Sequence, residues 1–159
     1  MQLGQTRDRL QQEGVETVGI IATDADRARR YLRMRPTKLP LAADPDCTTH
    51  HSYGVGHIDY SDPAVMKETS KPQYNRDGDL PKSLPWAQAF PALDKHDGHT
   101  HSETDIADQT RHKQAQMVGQ ALVDRDGVLR WVNTEASKGL QGLGGFPTEE
   151  ELLDLVRSL

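Results

Sequence analysis

Residues 119–135 read GQALVDRDGVLRWVNTE. Gln120 and Leu122 alternate with Ala121 and Val123 until DRDG at 124–127 interrupts the apolar run. Val128, Leu129, Trp131 and Val132 then resume it. Two β-prone segments joined by a short connection containing Gly127 predict a β-hairpin, because glycine supplies the positive φ that closes such a loop. The turn itself carries no chemistry. Its neighbours give it meaning: a βαβ pattern comes before it and one capped helix after it.

Upstream, residues 2–13 fit a helix. Leu3, Thr6 and Leu10 share one face, and Gly14 stands where a left-handed C-terminal residue belongs. Residues 15–22 (VETVGIIA) are β-branched and apolar, which predicts a buried strand of a parallel sheet. Thr23 and Asp24 cap a second helix over 25–35, with Ala25, Ala28 and Leu32 as its inner stripe and Pro36 as its stop. That helix carries Arg27, Arg29, Arg30, Arg33 and Arg35. Phosphate or RNA binding is one reading of them; a solvated face is the plainer one. Residues 38–43 (KLPLAA) predict a short edge strand, since Pro40 cannot donate to a ladder. Asp44-Pro45-Asp46 then opens a short helix over about 47–53, closed by Gly54.

Residues 56–115 break this pattern. They hold most of the prolines, many charges and little periodicity, and they predict a polar, partly mobile insertion. Its apolar island is 84–90 (LPWAQAF), expected to dock as a short helix. His96, His99 and His101 cluster with Asp94, Asp97 and Glu103, a composition able to hold a divalent metal. Neither cysteines nor a helical ligand frame accompany them, so no metal site is assigned. Past the hairpin, 136–146 is a glycine-rich connector without a dinucleotide-binding pattern. Thr148 and Glu151 then form a capping box ahead of a helix with the stripe Leu152, Val156 and Leu159, widened by Leu153 and Leu155.

The bulk numbers narrow the function class. A chain of 159 residues is enough for one domain with a core. Its formal net charge of −5 argues against general affinity for nucleic acid or an acidic membrane. A mean hydropathy of −0.74 fits a large polar segment. No apolar run reaches membrane-spanning length, and the first residues (MQLGQTRDRL) lack a signal-peptide core, so the expectation is a soluble cytoplasmic protein. Cys47 is the single cysteine, which excludes an intrachain disulfide and a multi-cysteine zinc site.

The order α, β, α, β, α, insertion, β-hairpin, α resembles the thioredoxin fold in its peroxiredoxin variety. The wording of VETVGIIATD, KLPLAADPD, SYGVG and ALVDRDGVLRWVNTE is similar to the alkyl hydroperoxide reductase / thiol-specific antioxidant family. These segments cover most of residues 3–55 and 117–159; residues 57–115 carry no family motif. The resemblance implies a single α/β domain over 1–159, a thioredoxin-like three-layer sandwich whose central mixed sheet is flanked by helices. It would lack the first strand and carry a long insertion before the C-terminal hairpin.

The resemblance also implies a thiol-dependent oxidoreductase that reduces a small peroxide or a disulfide. It would need no cofactor and would be served by a thiol reductant protein, with a homodimer as one assembly. In the family a helix N-terminus and a nearby arginine lower the pKa of the reacting cysteine. By match, Arg130 is the arginine that leans toward the thiolate. The matching place for the cysteine lies ahead of Gln2. The expectation is therefore that Met1 is an internal methionine of a longer reading frame; an in-frame stop directly upstream would overturn it. Cys47 is the substitute candidate. It sits near a helix N-terminus with His50 and His51 one turn away, but Asp44 and Asp46 oppose a thiolate there, and a small partly buried packing role is the alternative. The non-enzymatic alternative is a catalytically inactive thioredoxin-like module that binds a protein or, through the histidine loop, a metal.

Overall fold

The computed structural model describes residues 2–59, 61–69, 71, 73–75, 78–100, 102–103, 114–142 and 145–159. In chain order the elements are α1 (Gln2–Gln12), β1 (Gly19–Ile21), α2 (Ala25–Met34), β2 (Leu41–Ala43), α3 (Thr48–Ser52), β3 (His57–Asp59), α4 (Pro63–Thr69), β4 (Gln73–Tyr74), β5 (Leu84–Pro85), α5 (Trp86–Asp97), β6 (Gln114–Gln116), β7 (Gly119–Val123), β8 (Leu129–Thr134), a 3-10 turn (Leu140–Gly142) and α6 (Glu149–Arg157). The described residues are thus mixed α/β. They fall into two compact units. One holds 1–56, 118–134 and 145–159; the other holds 57–117 and 135–144.

In the first unit β1 pairs with β2 in parallel, Gly19 opposite Leu41 and Ile21 opposite Ala43. The predicted strands 15–22 and 38–43 are both shortened to three residues, and Pro40 explains why. The Gly19 N–H donates to Pro40 O at 2.8 Å, and the Asp44 N–H donates to Ile21 O at 2.9 Å. One rung back, the parallel pattern would need an N–H from Pro40, which proline lacks. The expected buried strand is also only half-buried: Val18 is 57% exposed and Ile20 37%. Gly19 is a close-approach position, since a Cβ there would meet Leu41 Cδ2 at 2.5 Å.

The hairpin forms as predicted, β7 antiparallel to β8, with Gly127 at φ 78°. Leu122 faces Trp131 and Val123 faces Leu129, so Arg130 is the extra residue of a β-bulge. Among the described residues β1–β2 and β7–β8 remain separate two-stranded ladders rather than one central sheet. The capping box of α6 is present in both directions: Thr148 N–H donates to Glu151 Oε2 at 2.7 Å and Glu151 N–H to Thr148 Oγ1 at 3.3 Å. The stripe of α6 is centred differently from the expectation. Leu153, at 1% exposure, is its deepest residue, whereas Leu159 lies beyond the helix end and is 65% exposed.

α1 packs against α6. Arg9 pairs with Glu149 and Glu150 in the acidic first turn of α6, and Arg157 pairs with Glu13 at 2.6 Å. Anions suit a helix N-terminus, so the contact agrees with the helix dipole as well as with charge. Leu10, Ala28, Leu39, Cys47, Val55 and Leu153 form the apolar core of this unit.

The second unit takes in most of the expected insertion, which is more regular than its composition suggests. β3 pairs antiparallel with β6, and β4 with β5. Asn75 braces the turn between β4 and β5, accepting from Leu80 N at 3.0 Å and donating to Leu80 O at 2.7 Å. The predicted short helix at 84–90 is instead the β5 strand followed by twelve residues of α5, with Pro91 inside it. Among the described residues, Ile58, Val65, Leu80 and Ala89 are the buried apolar side chains of this unit. Residues 104–113 of the expected insertion, and His101, lie outside the described residues.

Candidate functional site

The sequence nominates Cys47 and Arg130. The structure sets each in its own local network. Asp44, just after β2, governs the first. Its carboxylate accepts from the backbone N–H of Thr48 (3.0 Å) and Thr49 (2.9 Å), and more weakly from His50 (3.4 Å). Those are the orphan donors of a helix start, so Asp44 caps α3 from three residues ahead of the N-cap position. His50 Nδ1 lies 2.9 Å from Asp44 Oδ2. An ionised carboxylate only accepts, so His50 Nδ1 is the donor of this bond. Burial pushes the Asp44 carboxyl up, but the His50 hydrogen bond and the three backbone N–H groups outweigh it, and it is held below the usual carboxylate range.

Cys47 occupies the N-cap position of α3 in the left-handed conformation, φ 55° and ψ 26°. A non-glycine residue there is uncommon, and the turn that carries it is closed by the Cys47 N–H donating to Asp44 O at 3.1 Å. Its side chain is buried, the residue being 6% exposed. Burial first, then Asp44 and Asp46, raise the thiol pKa above its ordinary value. A helix N-terminus usually favours a thiolate. Here the N–H groups that would do so already serve Asp44.

Arg130 is organised by Asp124. Asp124 Oδ1 accepts from Asp126 N–H (2.9 Å) and Val128 N–H (2.8 Å), and its other oxygen accepts from Arg130 Nε at 2.6 Å. The bulge frees Arg130 from cross-strand pairing and lets it fold back over the turn. The Val128 hydrogen bond is the largest cause holding the Asp124 carboxyl below its ordinary value, with Arg130 adding to it. Arg130 is exposed, and the bond to Asp124 engages Nε, leaving both Nη groups outside it. No hydrogen bond or ion pair joins Cys47 to Arg130 among the described residues.

Of the histidine cluster, His96 and His99 flank the end of α5, and His101 lies outside the described residues. His96 Nδ1 lies 3.0 Å from Asp97 Oδ1, and His99 N–H donates to Asp94 O at 2.8 Å across Gly98, which takes φ 67°. This is the hydrogen-bond pattern of a Schellman cap. Among the described residues no group of three potential ligands is placed to hold a metal.

Two arrangements were not foreseen from sequence: the Asp44–His50 pair and the Asp124–Arg130 clasp. Each was signalled weakly by an aspartate opening a turn, Asp44 before Pro45 and Asp124 before Gly127. No helix of the described residues is long and apolar enough to cross a membrane. Set against known protein families, curated proteins and solved structures, the chain matches none.

Proposed function

We propose that this chain is a thioredoxin-like domain of peroxiredoxin-like type, working in thiol-dependent reduction of a small peroxide or disulfide. In this reading Arg130 holds the anionic oxygen and Cys47 is a packing residue, not the nucleophile. The observation that supports it best is the order of pairing: a parallel βαβ step from β1 through α2 to β2, then an antiparallel hairpin whose bulge presents Arg130. In this reading the reacting thiolate is a thiol other than Cys47, and a thiol reductant protein closes the cycle. That thiolate attacks one peroxide oxygen, the O–O bond breaks with the other oxygen leaving as hydroxide or alkoxide that takes up a proton, and the sulfenic acid so formed condenses with a second thiol to give a disulfide and water. A reducing cytoplasmic setting suits a lone unpaired cysteine.

The buried state of Cys47 and the engagement of Arg130 by Asp124 favour a second reading, a catalytically inactive domain that binds a protein partner. One assay separates the two. Hydrogen peroxide consumption is followed with dithiothreitol, with and without an added thioredoxin-type reductant, for the native chain, Cys47→Ser and Arg130→Ala. The first reading expects consumption above the reductant's own background, unchanged in Cys47→Ser and about tenfold lower in Arg130→Ala. No stimulation in any mixture overturns it in favour of the second. Loss of activity in Cys47→Ser overturns the role given to that residue.

A further inference from the structure

Asp-Gly pairs occur in the chain at 77–78, 97–98 and 126–127. They share one reactivity. The backbone nitrogen that follows an aspartate can attack the side-chain Cγ and close a five-membered succinimide. Glycine obstructs this least, since no Cβ stands beside the attacking nitrogen. The structure distinguishes two of the pairs; Asp77 lies outside the described residues.

Asp97 is the last residue of α5, and its carboxylate lies 3.0 Å from His96 Nδ1. Ring closure there would take Asp97 out of its helical conformation and release the Gly98 and His99 hydrogen bonds that cap the helix. Asp126 sits at the exposed tip of the β7–β8 hairpin. Its N–H donates to Asp124 Oδ1 at 2.9 Å, but its own carboxylate has no hydrogen bond or ion pair among the described residues. A Cβ at Gly127 would meet nothing within 4 Å, so the space around a ring is open. One bond opposes closure: the Gly127 N–H donates to Asp124 O at 3.1 Å. That bond belongs to the turn and not to the ladder, so it opens at the tip while the strands stay paired.

The product has a structural consequence. Isoaspartate routes the main chain through Cβ and Cγ of residue 126, adding one atom between the Asp126 and Gly127 nitrogens. Asp124 Oδ1 accepts from the Asp126 and Val128 N–H groups, which lie on either side of that insertion. The spacing that lets one oxygen serve both is then lost, and the same carboxylate holds Arg130 Nε at 2.6 Å.

We propose that Asp126–Gly127 is a self-modification site, forming isoaspartate in the folded protein and opening the Asp124 clasp on Arg130. The Gly127 N to Asp126 Cγ bond forms, and a carboxylate oxygen leaves as water with the amide proton and a proton from solvent. A second water then adds to the Asp126 backbone carbonyl and breaks its bond to Gly127 N, returning a proton as the new carboxylate ionises. No oxidant, reductant or enzyme is required. The proposal uses the hairpin alone and stands whether or not the redox reading does.

The test is to hold the native chain in warm neutral buffer and map its peptides by electron-transfer fragmentation, which tells isoaspartate from aspartate at equal mass. Isoaspartate is expected to build up at 126 at least about fivefold faster than at 97, and the two rates to converge in denaturant. Asp126→Glu keeps the charge but would need a six-membered ring, and should show no such product at 126 with an unchanged far-UV circular dichroism spectrum. The aged native chain should melt lower than the fresh one, whereas aged Asp126→Glu should not. Absence of isoaspartate at 126, or equal rates at 97 and 126 in the folded chain, overturns the site. Isoaspartate at 126 with unchanged melting, or the same loss in aged Asp126→Glu, overturns its effect on the clasp.

Discussion

Asp44 takes the helix N-terminus that would otherwise act on Cys47. Its carboxylate holds the backbone N–H groups of Thr48 and Thr49, while Cys47, three residues after it, is left buried with a raised thiol pKa. The prediction is that native protein reacts with iodoacetamide at neutral pH at least about tenfold more slowly than free cysteine, and at the free rate in denaturant. Thiol titration by mass spectrometry measures this. Fast native labelling would return Cys47 to candidacy as a nucleophile.

The same carboxylate makes stability depend on acid. Its folded pKa lies below the unfolded value of about 3.9, so its contribution is full above that value and is lost as pH falls through the lower folded one. Asp124 behaves alike. Thermal melts of Asp44→Asn between neutral pH and strong acid should start lower than those of the native chain and lose less on acidification. Parallel curves would remove Asp44 from the acid transition.

At the hairpin, Asp124 serves three donors and Arg130 only one described acceptor. Asp124→Ala should therefore lower the melting temperature more than Arg130→Ala. Gly127→Ala meets open space but keeps a positive φ, and should cost about 1–2 kcal/mol from backbone conformation alone. A larger effect of Arg130→Ala than of Asp124→Ala would reverse the hierarchy between them.

Packing supplies a fourth prediction. Leu153→Ala should destabilise by about 2–5 kcal/mol in chemical unfolding, because the site is fully enclosed. Gly119→Ala should cost about 1–3 kcal/mol, since its Cβ would run into Val55 Cγ2, and Val55 is itself buried and β-branched. Pairing it with Val55→Ala should recover part of that loss; strict additivity would show that the two sites do not meet.

Local chemistry was legible in the sequence. Pro40 announced a strand that could not lengthen its ladder, Gly127 announced the turn, and Thr148 with Glu151 announced the start of α6. Each depends on a few adjacent residues. What escaped depends on register or distance. Arg130 turns back to Asp124 because of a one-residue bulge that alternation cannot reveal. The pairing of His57 with Gln116 spans nearly the whole polar segment, where no periodicity marks a partner. Tyr31 escaped for another reason: on a helix read by its arginines and alanines, only the folded structure shows that an aromatic residue is left half exposed.

The pairing of α1 with α6 joins positions 140 or more residues apart in sequence. Loop-closure entropy grows with the logarithm of that separation, so these contacts are among the last worth forming. The hairpin, closed over a handful of residues, can form early, whereas Arg9, Glu149, Arg157 and Glu13 are expected to come together later. Substitutions at these four residues should then leave the refolding rate nearly unchanged and speed unfolding, making the terminal pair a brake on unfolding rather than a nucleus.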